Sequence, residues 1–367
     1  MTTRNFFTLG RIVISSACVM ACVNASVFAA SPSVPAVLAA ATPDTDTSGT
    51  GEVTFIVIGD TPYSDKDEVM LGKAIPKVKE GDFPFVIHIG DYKGGGKPCT
   101  ADHDVRHQEL ISCLSPLPVI YTPGDNEWTD CDRFEDPETG ERYSDLDRLA
   151  RVRELFFSER IKNTEGLDFR QQETLPENAA WSHGGVHFLT LHVTGTNNGR
   201  DWVTGDPLNE AKTAVEARDV ANQEWLAGEA AHASEKGARA LVIAMQADPT
   251  DIEDKPADIM CTDVAASNKH PCDAFTDLRA QIRDVALAFE RPVIVIHGDT
   301  APFTLNQSFA GEEAPNLWRL NAAGDAGVGR TGFPYGVRDV THVTITPEAD
   351  QPVEAFGLVT GKKPKRR

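Results

Sequence analysis

Five apolar segments of strand length each lead directly into an aspartate. The segments read FIVIGD, FVIHIGD, VIYTPGD, LVIAMQAD and VIVIHGD, and they end at Asp60, Asp91, Asp125, Asp248 and Asp299. Helix-like stretches separate these segments, so the pattern predicts an α/β fold with buried, mostly parallel strands. One aspartate after one strand is an ordinary turn residue. Because ligands bind beyond the carboxyl ends of such strands, five of them predict a shared carboxylate site.

Carboxylates that lie this close together repel one another. They must take up protons, pair with cations such as Lys93, or bind a metal ion. A divalent ion offsets the repulsion between the carboxylates most directly, and it also adds Lewis-acid chemistry. Oxygen ligands favour Mn, Mg or Ca over Zn. We therefore expect a divalent metal site, with a purely structural ion as the alternative.

Length and charge exclude some classes of protein. The 367 residues allow two domains or one large α/β domain, and a hydrophobic fraction of 41% is enough for a sizeable core. The net charge of −20 argues against a protein that binds the nucleic-acid backbone, because that function needs a basic face. Acidic excess alone identifies no partner.

The N-terminus has the pattern of a secretory signal peptide over residues 1–30. Arg4 and Arg11 precede the apolar run IVISSACVMACV, and the small residues of SVFAA follow, so we expect cleavage near Ala29 or Ala30. The run is too short to span a bilayer, which predicts a mature chain without a transmembrane span. An exported protein, periplasmic or extracellular, is therefore expected. In a second interpretation, VMAC makes Cys22 a lipid-bearing mature N-terminus.

The rest of the chain divides into three segments. Residues 31–51 are small and polar and predict a flexible leader, and residues 52–346 carry the alternating strands and helices. The longest helical pattern ends at Gly237, just before the strand ARALVIAM. Residues 347–367 form a C-terminal segment whose basic end, GKKPKRR, we expect to be solvated and disordered.

Five cysteines follow the predicted signal peptide, and an oxidising compartment favours disulfides between them. The short spacing of Cys261 and Cys272 predicts a loop disulfide. Cys99 and Cys131 both follow loops expected on the active face, so we favour that pair and leave Cys113 free. Spacing alone does not determine connectivity.

The order of these motifs resembles the calcineurin-like metallophosphoesterases. The resemblance rests on GD after the first and second strands, GDNE after the third, and HGDT late in the chain, and it covers residues 52–346. It implies a sandwich of two mixed β-sheets flanked by helices (α/β/β/α). In that family two metal ions activate a water to attack a phosphate ester, and a nearby histidine assists.

The first three motifs keep oxygen ligands but lose a histidine. Asp60 matches the family's first metal-binding aspartate, whereas Pro62 stands where a histidine ligand belongs and has no donor atom. Asp91 matches the aspartate that bridges the two ions. Asp125 replaces a metal-binding asparagine, and its carboxylate can still bind through oxygen.

The remaining motifs depart further from the family. Asn126 stands at the place of the catalytic histidine, which puts the proton donor for the leaving group in doubt. Gln246 or Asp248 occupies the place of another histidine ligand. Asp299 and Ala301 occupy the last two histidine positions. The resemblance thus implies the architecture of the family with an altered metal centre.

These correspondences assign candidate roles. The metal ligands are Asp60, Asp91, Asp125, Asp299 and Gln246; the catalytic candidates are Asn126 and Asp248; the candidate substrate contacts are Lys93, Asn197 and Asn198. Two ions are expected, with iron a further candidate beside Mn, Mg and Ca. The predicted function is an exported phosphoesterase that acts on a phosphorylated small molecule or another phosphoester, whether mono- or diester. The alternative is an inactive binding protein on the same fold.

Overall fold

Twelve strands form two mixed sheets in the described part of the chain. The computed structural model describes residues 51–137, 139–251, 259–267, 271–326 and 336–366. The predicted signal peptide, Cys22 and all but the last residue of the predicted leader lie outside these ranges. The predicted architecture of two mixed sheets flanked by helices is confirmed.

The first sheet has five strands in the order β12-β11-β1-β2-β3. Its strands are β1 (Val53–Ile58), β2 (Val86–His88), β3 (Val119–Tyr121), β11 (Thr341–Ile345) and β12 (Val353–Gly357). β1, β2 and β3 run parallel, and β11 pairs antiparallel with β1. The carboxyl ends of the three parallel strands therefore meet at one edge of the sheet, as the sequence pattern predicts.

The second sheet has seven strands in the order β4-β5-β6-β7-β8-β10-β9. Its strands are β4 (Arg170–Gln171), β5 (Ala179–His183), β6 (Val186–Thr190), β7 (Ala240–Ala244), β8 (Val293–His297), β9 (Thr304–Asn306) and β10 (Leu317–Asn321). β6, β7, β8 and β10 are parallel. β6, β7 and β8 are buried along their lengths, which explains the aliphatic sequences of β7 and β8.

Five helices of more than two turns connect the strands in the described ranges. They are α1 (Asp65–Glu80), α2 (Ala101–Cys113), α3 (Asp145–Phe156), α4 (Leu208–Glu235) and α5 (Thr276–Phe289). α4 is the helix predicted before Gly237, and that glycine has a φ of 69°, which suits a helix stop. Among the described residues, no helix combines the length and apolar character needed to cross a bilayer.

The core lies between the two sheets. Phe188 of β6 contacts Phe55 of β1 and Phe85 before β2, with ring centroids 5.3 and 5.0 Å apart, and Trp181 stacks on Phe188. A second apolar cluster joins the other face of the seven-stranded sheet to α4 and α5. The central strands are thus covered on both faces, and this holds their carboxyl ends in place.

Both favoured disulfides form in the structure. Cys99 is bonded to Cys131 and Cys261 to Cys272, with Cα atoms 5.5 and 4.9 Å apart, while Cys113 is buried and belongs to neither bond. The C-terminal segment differs from the expected disordered tail. β12 extends the first sheet beyond residue 346, and Lys365 exchanges backbone hydrogen bonds with Phe303 and Leu305 beside β9.

Candidate metal centre

Three of the strand-end aspartates share one backbone conformation. Asp60 follows β1, Asp91 follows β2 and Asp299 follows β8, and their φ angles are 52°, 59° and 66°. Residues other than glycine rarely adopt this left-handed conformation, although aspartate tolerates it better than most, and it concentrates at functional sites. The local turn therefore directs all three carboxylates out of the strand ends in the same way.

Carboxylate oxygens of Asp91, Asp125 and Asp299 lie within 4.8 Å of one another. Asp91 and Asp125 are buried, and Asp299 is half-buried. Asp60 joins them, because its Oδ1 accepts a hydrogen bond from the backbone N–H of Asp299 over 2.9 Å. The structure thus brings together the four aspartates predicted as metal ligands.

Gln246 also reaches this cluster, but with its nitrogen. Its Nε2 donates to Asp125 Oδ1 over 3.0 Å and lies 3.3 Å from Asp91 Oδ2. Its Oε1 accepts from the backbone N–H of Gly195 over 2.7 Å. A metal ligand needs the amide oxygen, so this arrangement differs from the predicted role. Here Gln246 links the carboxylates to the turn at Gly195–Gly199.

Asn126 and Tyr63 surround Asp91. The side-chain amide of Asn126 donates to Asp91 Oδ2 over 2.6 Å and to the Tyr63 hydroxyl over 3.0 Å. The Tyr63 hydroxyl lies 2.8 Å from Asp91 Oδ2 and 3.3 Å from Asp60 Oδ1. Asn126 therefore lies at the centre, as predicted, and an amide at this position has no titratable proton to give.

Glu127 fixes the two loops that carry the aspartates. Its buried carboxylate accepts the backbone N–H groups of Asp91 (3.0 Å) and Gly124 (2.7 Å), together with the Tyr121 hydroxyl over 2.9 Å. These bonds tie the ends of β2 and β3 together. Glu127 therefore positions the backbone of Asp91.

Asp130 and Thr196 extend the polar centre on one side. The Thr196 hydroxyl lies 2.9 Å from Asp125 Oδ2 and 2.6 Å from Asp130 Oδ1, and Arg133 pairs with Asp130 over 2.5 Å. Thr196 belongs to the turn Gly195–Gly199, in which three consecutive residues have φ between 51° and 55°. This left-handed turn brings the Gly195 backbone close to the cluster: a Cβ at Gly195 would lie 2.4 Å from Asp125 Oδ2.

Burial and mutual repulsion raise the pKa values of Asp60, Asp91 and Asp299. Burial is the main cause for Asp60, whose pKa rises to about 8, with further contributions from Asp325 and Asp125. The pKa values of Asp91 and Asp299 rise well above the ordinary value, through burial and then the charge of Asp125. The protein alone therefore disfavours the ionised cluster, which needs a counter-charge.

Lys93 supplies only part of that counter-charge. It is 1% exposed, and its Nζ donates to the backbone carbonyl of Lys97 over 2.9 Å. Burial lowers its pKa, against the opposing effect of Glu127, Asp130 and Asp91. A side chain this buried is a fixed charge near the acids, which differs from the predicted contact with substrate.

Asp248 lies at the end of β7 but has other partners. Its carboxylate accepts from Thr250, from Thr300 Oγ1 over 2.8 Å and from Arg319 over 2.8 Å. The Arg319 ion pair joins the end of β7 to β10. These contacts favour a structural role over the predicted catalytic one.

Asn197 and Asn198 also use their side chains within the fold. Asn197 bonds to Asp201 and to the backbone at Cys272 and Ala274, beside the disulfide of Cys261 and Cys272. Asn198 donates to Asp219 over 2.8 Å. Both residues hold the left-handed turn in place, so they differ from the predicted substrate contacts.

The arrangement of Asp91, Asp125 and Asp299 fits a hard divalent cation. Their oxygens converge, Asp91 and Asp125 are buried, and in the described ranges no lysine or arginine donates a hydrogen bond to the three aspartates. Carboxylate oxygens are the ligands preferred by Mn, Mg and Ca, whereas zinc sites are usually built from histidine and cysteine. The site thus suits the type of ion predicted from the sequence.

Four residues of the centre were not predicted from the sequence: Tyr63, Asp130, Gly195 and Thr196. Tyr63 stands three residues after Asp60, and Asp130 stands five after Asp125, so their closeness in sequence to a strand-end aspartate could have indicated them. Gly195 and Thr196 carry no such signal. They come close only because the turn after β6 folds back on the cluster.

Comparison with known proteins identifies the family of this chain. A family model described as calcineurin-like phosphoesterase matches residues 53–301, which is more than half of the chain. The structure is similar to that of PhoD (TM-score 0.49, 12% identity), covering 83% of this chain and 65% of that one, and so less than two thirds of its length.

Two further solved structures show comparable similarity. One is a dimetal phosphatase from Danio rerio (TM-score 0.45, 12% identity, 83% of this chain and 99% of that one). The other is GAP50, the anchor in the inner membrane complex of Plasmodium (TM-score 0.44, 10% identity, 85% and 86%). No curated protein matches the sequence. On the family match, the chain belongs to the calcineurin-like phosphoesterases.

Proposed function

We propose that this protein is a metal-dependent phosphoesterase, with its reaction centre at the ends of β1, β2, β3 and β8. The observation that carries the proposal is the convergence of Asp91, Asp125 and Asp299, whose oxygens lie within 4.8 Å of one another. Membership of the family supports a phosphate ester as substrate, either a phosphorylated small molecule or another phosphoester. The proposal covers both mono- and diesters.

In this proposal Asp60, Asp91, Asp125 and Asp299 hold two divalent ions, with Mn, Mg and Ca favoured over Zn and iron a further candidate. When bound, such ions supply Lewis-acid polarisation of a phosphoryl oxygen. The side-chain amides of Asn126 and Gln246 both lie within hydrogen-bonding distance of Asp91 Oδ2, so they hold a carboxylate that would bind the ions. Asp299 adds a carboxylate at one of the lost histidine positions, and Asp125 adds one where the family has asparagine.

The chain's own residues orient this centre. Glu127 fixes the backbone at Asp91, Asn126 holds the Asp91 carboxylate, and Thr196 holds Asp125 against Asp130. A reaction centre of this kind depends on preorganised groups, because small displacements of ligands cost large factors in rate. The Tyr63 hydroxyl lies between Asp60 and Asp91, where it can also donate a hydrogen bond to a bound ester.

The test uses protein purified without chelator and without a polyhistidine tag. Bound metals are quantified by mass spectrometry, and hydrolysis of p-nitrophenyl phosphate and bis-p-nitrophenyl phosphate is assayed with added Mn, Mg and Ca. We expect one or two ions per chain and turnover that is lost in Asp91→Asn. Asp284→Asn is the matched control, because Asp284 is 65% exposed and pairs only with Arg283 and solvent in the described structure.

Two outcomes would contradict the proposal. Protein that binds ions at the aspartates but turns over no ester would be a binding protein on this fold. Protein with neither ions nor turnover would remove the assignment of the metal centre as well. Asp125→Ala separates the ligand assignment from catalysis, because unchanged metal content in that variant would exclude Asp125 as a ligand.

We also propose export to the periplasm or the extracellular space. The two arginines and the apolar run of the N-terminal sequence support it, as do the disulfides Cys99–Cys131 and Cys261–Cys272. Fractionation with mass spectrometry of the mature N-terminus tests it. A start near Ser31 supports a cleaved signal peptide, and a lipid on Cys22 supports a membrane-anchored form. Full-length chain in the cytosol would contradict export.

A further inference from the structure

A cavity of about 780 Å³ lies between α3 and α4, behind the loop that carries Asp125 and Asp130. Trp128 and Thr129 of that loop line the cavity, and so does Gly199 at the end of the left-handed turn. Cavities of a few hundred to about 1,000 Å³ are typical of small-molecule sites. None of the four clustered aspartates lines it, so it is separate from the metal centre.

The walls of the cavity are mostly apolar. They are formed by side chains from both helices and the loops beside them, among them Leu149, Leu175, Val203, Ala214, Val215 and Val220. Val220 is 54% exposed, so the cavity opens along α4. Such walls suit the apolar part of a ligand, because covering them removes apolar surface from water.

Arg218 is the charged residue that distinguishes this cavity. It is 5% exposed, and its Nη2 donates to the backbone and side-chain oxygens of Asn198 over 2.5 and 3.0 Å. Its Nε is buried without a partner, and its guanidinium lies 4.9 Å from the centre of the Trp128 ring. Among the described residues no carboxylate lies within ion-pair distance of Arg218, and the nearby Asp219 pairs with Arg200 instead.

A buried guanidinium that forms no direct ion pair is costly, since burial removes the water that solvates its charge. Burial accordingly lowers the pKa of Arg218 to about 10. Trp128 presents a similar deficit: its indole N–H is buried and has no acceptor among the described residues. Both groups can only donate hydrogen bonds, so what they lack is an acceptor, and a negatively charged one also neutralises Arg218.

The other charged groups of the cavity already have partners or face solvent. Arg153 pairs with Glu177 over 2.5 Å. Asp206 accepts the Ser144 hydroxyl and the first N–H groups of α3, and Asp145 accepts the N–H of Asp132. Asp145 and Asp206 form the acidic end of the cavity, at the start of α3. Arg153 lies eight residues after Asp145, which is about 12 Å along the helix, so it is distant from these two acids.

We propose that this cavity binds a small amphipathic anion, whose acidic head contacts Arg218 and Trp128 and whose apolar body lies between α3 and α4. The head can be a carboxylate or a phosphate, since both accept hydrogen bonds from a guanidinium. Such a ligand would contact the back of the Asp125–Asp130 loop. Its binding does not depend on the phosphoesterase activity.

The test measures binding of decanoate and decyl phosphate to the full mature chain by titration calorimetry, with decylammonium as the probe of opposite charge. We expect one saturable site for at least one of the two anions and no comparable binding of decylammonium. Comparison of the two anions distinguishes a carboxylate ligand from a phosphate ligand. All titrations use protein from which metal ions have been removed with a chelator, so that the anions do not bind to ions at the metal centre.

Two variants and a control locate the site. Arg218→Gln should weaken anion binding by about tenfold or more, because it removes the buried cation that contacts the acidic head. Because Arg218 also holds Asn198, Ala214→Phe provides an independent test: it fills the space for the apolar body and leaves Arg218 intact. Ala227→Phe, on α4 but outside the cavity, should bind as the wild type does.

The proposal is overturned if neither anion binds, or if decylammonium binds as tightly as the anions. It is also overturned if Ala214→Phe and Ala227→Phe bind the anion equally well, because the ligand would then lie elsewhere. A 15N-labelled sample adds a direct readout. The indole N–H resonance that disappears in Trp128→Phe should be the one that shifts when the anion binds.

Discussion

Asn126 holds both carboxylate oxygens of Asp91: its backbone N–H lies 3.2 Å from Oδ1, and its side-chain amide lies 2.6 Å from Oδ2. The same side chain lies 3.0 Å from the Tyr63 hydroxyl. Asn126 thus orients the central aspartate without adding charge to a cluster that already carries too much. The neighbouring residue, Asp125, does the opposite, because it adds a carboxylate to that cluster.

This contrast predicts opposite effects for two nearly isosteric substitutions in metal-free protein. Asn126→Asp should lower the free energy of unfolding by about 1–3 kcal/mol, since a donor to Asp91 becomes a like charge. Asp125→Asn should raise it, because one of the repelling charges is removed. Urea unfolding in chelator measures both. If Asn126→Asp is at least as stable as the wild type, the carboxylates do not repel one another as inferred.

Saturating Mn should reverse the benefit of Asp125→Asn. The wild type gains stability by binding the ion, whereas the variant lacks one ligand and gains less. The comparison of melting temperatures with and without Mn measures this difference. Equal gains in the wild type and in Asp125→Asn would exclude Asp125 from the ion site.

Gly195→Ala should disrupt the metal centre through sterics alone. The added Cβ would lie 2.4 Å from Asp125 Oδ2 and 2.8 Å from both oxygens of Asp299, so the carboxylates must move. We expect Mn affinity to fall by about tenfold or more, measured by calorimetry.

The control is Gly228→Ala in α4, where the new methyl group meets no atom within 4 Å. It should keep Mn affinity and raise stability by about 0.5–1 kcal/mol. Unchanged affinity in Gly195→Ala would place the ion away from Asp125 and Asp299.

Tyr63→Phe should slow hydrolysis in a way that depends on the leaving group. Asn126 has no titratable proton, and the Tyr63 hydroxyl lies 2.8 Å from Asp91 at the centre. If that hydroxyl donates a hydrogen bond to the leaving oxygen, its loss matters more for alkyl esters than for p-nitrophenyl esters, whose leaving group is already a weak base. We expect kcat to fall by about tenfold more for the alkyl ester. Equal losses for both esters would indicate that Tyr63 only positions Asp91.

Two buried histidines should make the fold sensitive to acid. Burial lowers the pKa of His88 to about 3, and the pKa of His107 lies well below its ordinary value for the same reason. The folded protein keeps both rings neutral, while the unfolded chain takes up protons below about pH 6.5. Their contribution to stability is therefore complete above pH 6.5 and is lost as the pH falls toward 3.

A variant isolates this effect from the other titrating groups. His88→Gln retains an acceptor for the Gly90 N–H, which lies 3.1 Å from His88 Nδ1. Its unfolding free energy should decline less steeply than that of the wild type between pH 6.5 and 5, by about 1.4 kcal/mol per pH unit. Parallel pH profiles for the two proteins would show that His88 titrates normally.

Local sequence determined the strands, the long helix α4 and the positions of the strand-end aspartates. Buried parallel strands need continuous aliphatic residues, and a Gly-Asp pair after a strand can adopt the left-handed turn seen at Asp60, Asp91 and Asp299. The order of the motifs, read by resemblance, was also sufficient for the family and for the two-sheet sandwich. The strands, the helix and the turns depend on residues that are close in the chain.

Tertiary structure alone decided which of these groups meet. Asp248 follows its strand as the other aspartates do, yet it binds Arg319, a residue 71 positions away on β10. The side-chain nitrogen of Gln246 faces the cluster because the side-chain oxygen accepts a hydrogen bond from the Gly195 N–H. Thr196 reaches Asp125 through a turn of three left-handed residues, and the buried Arg218 donates to Asn198 of that turn. Each of these results is a contact between distant segments, and the energy of such contacts depends on packing that no local pattern encodes.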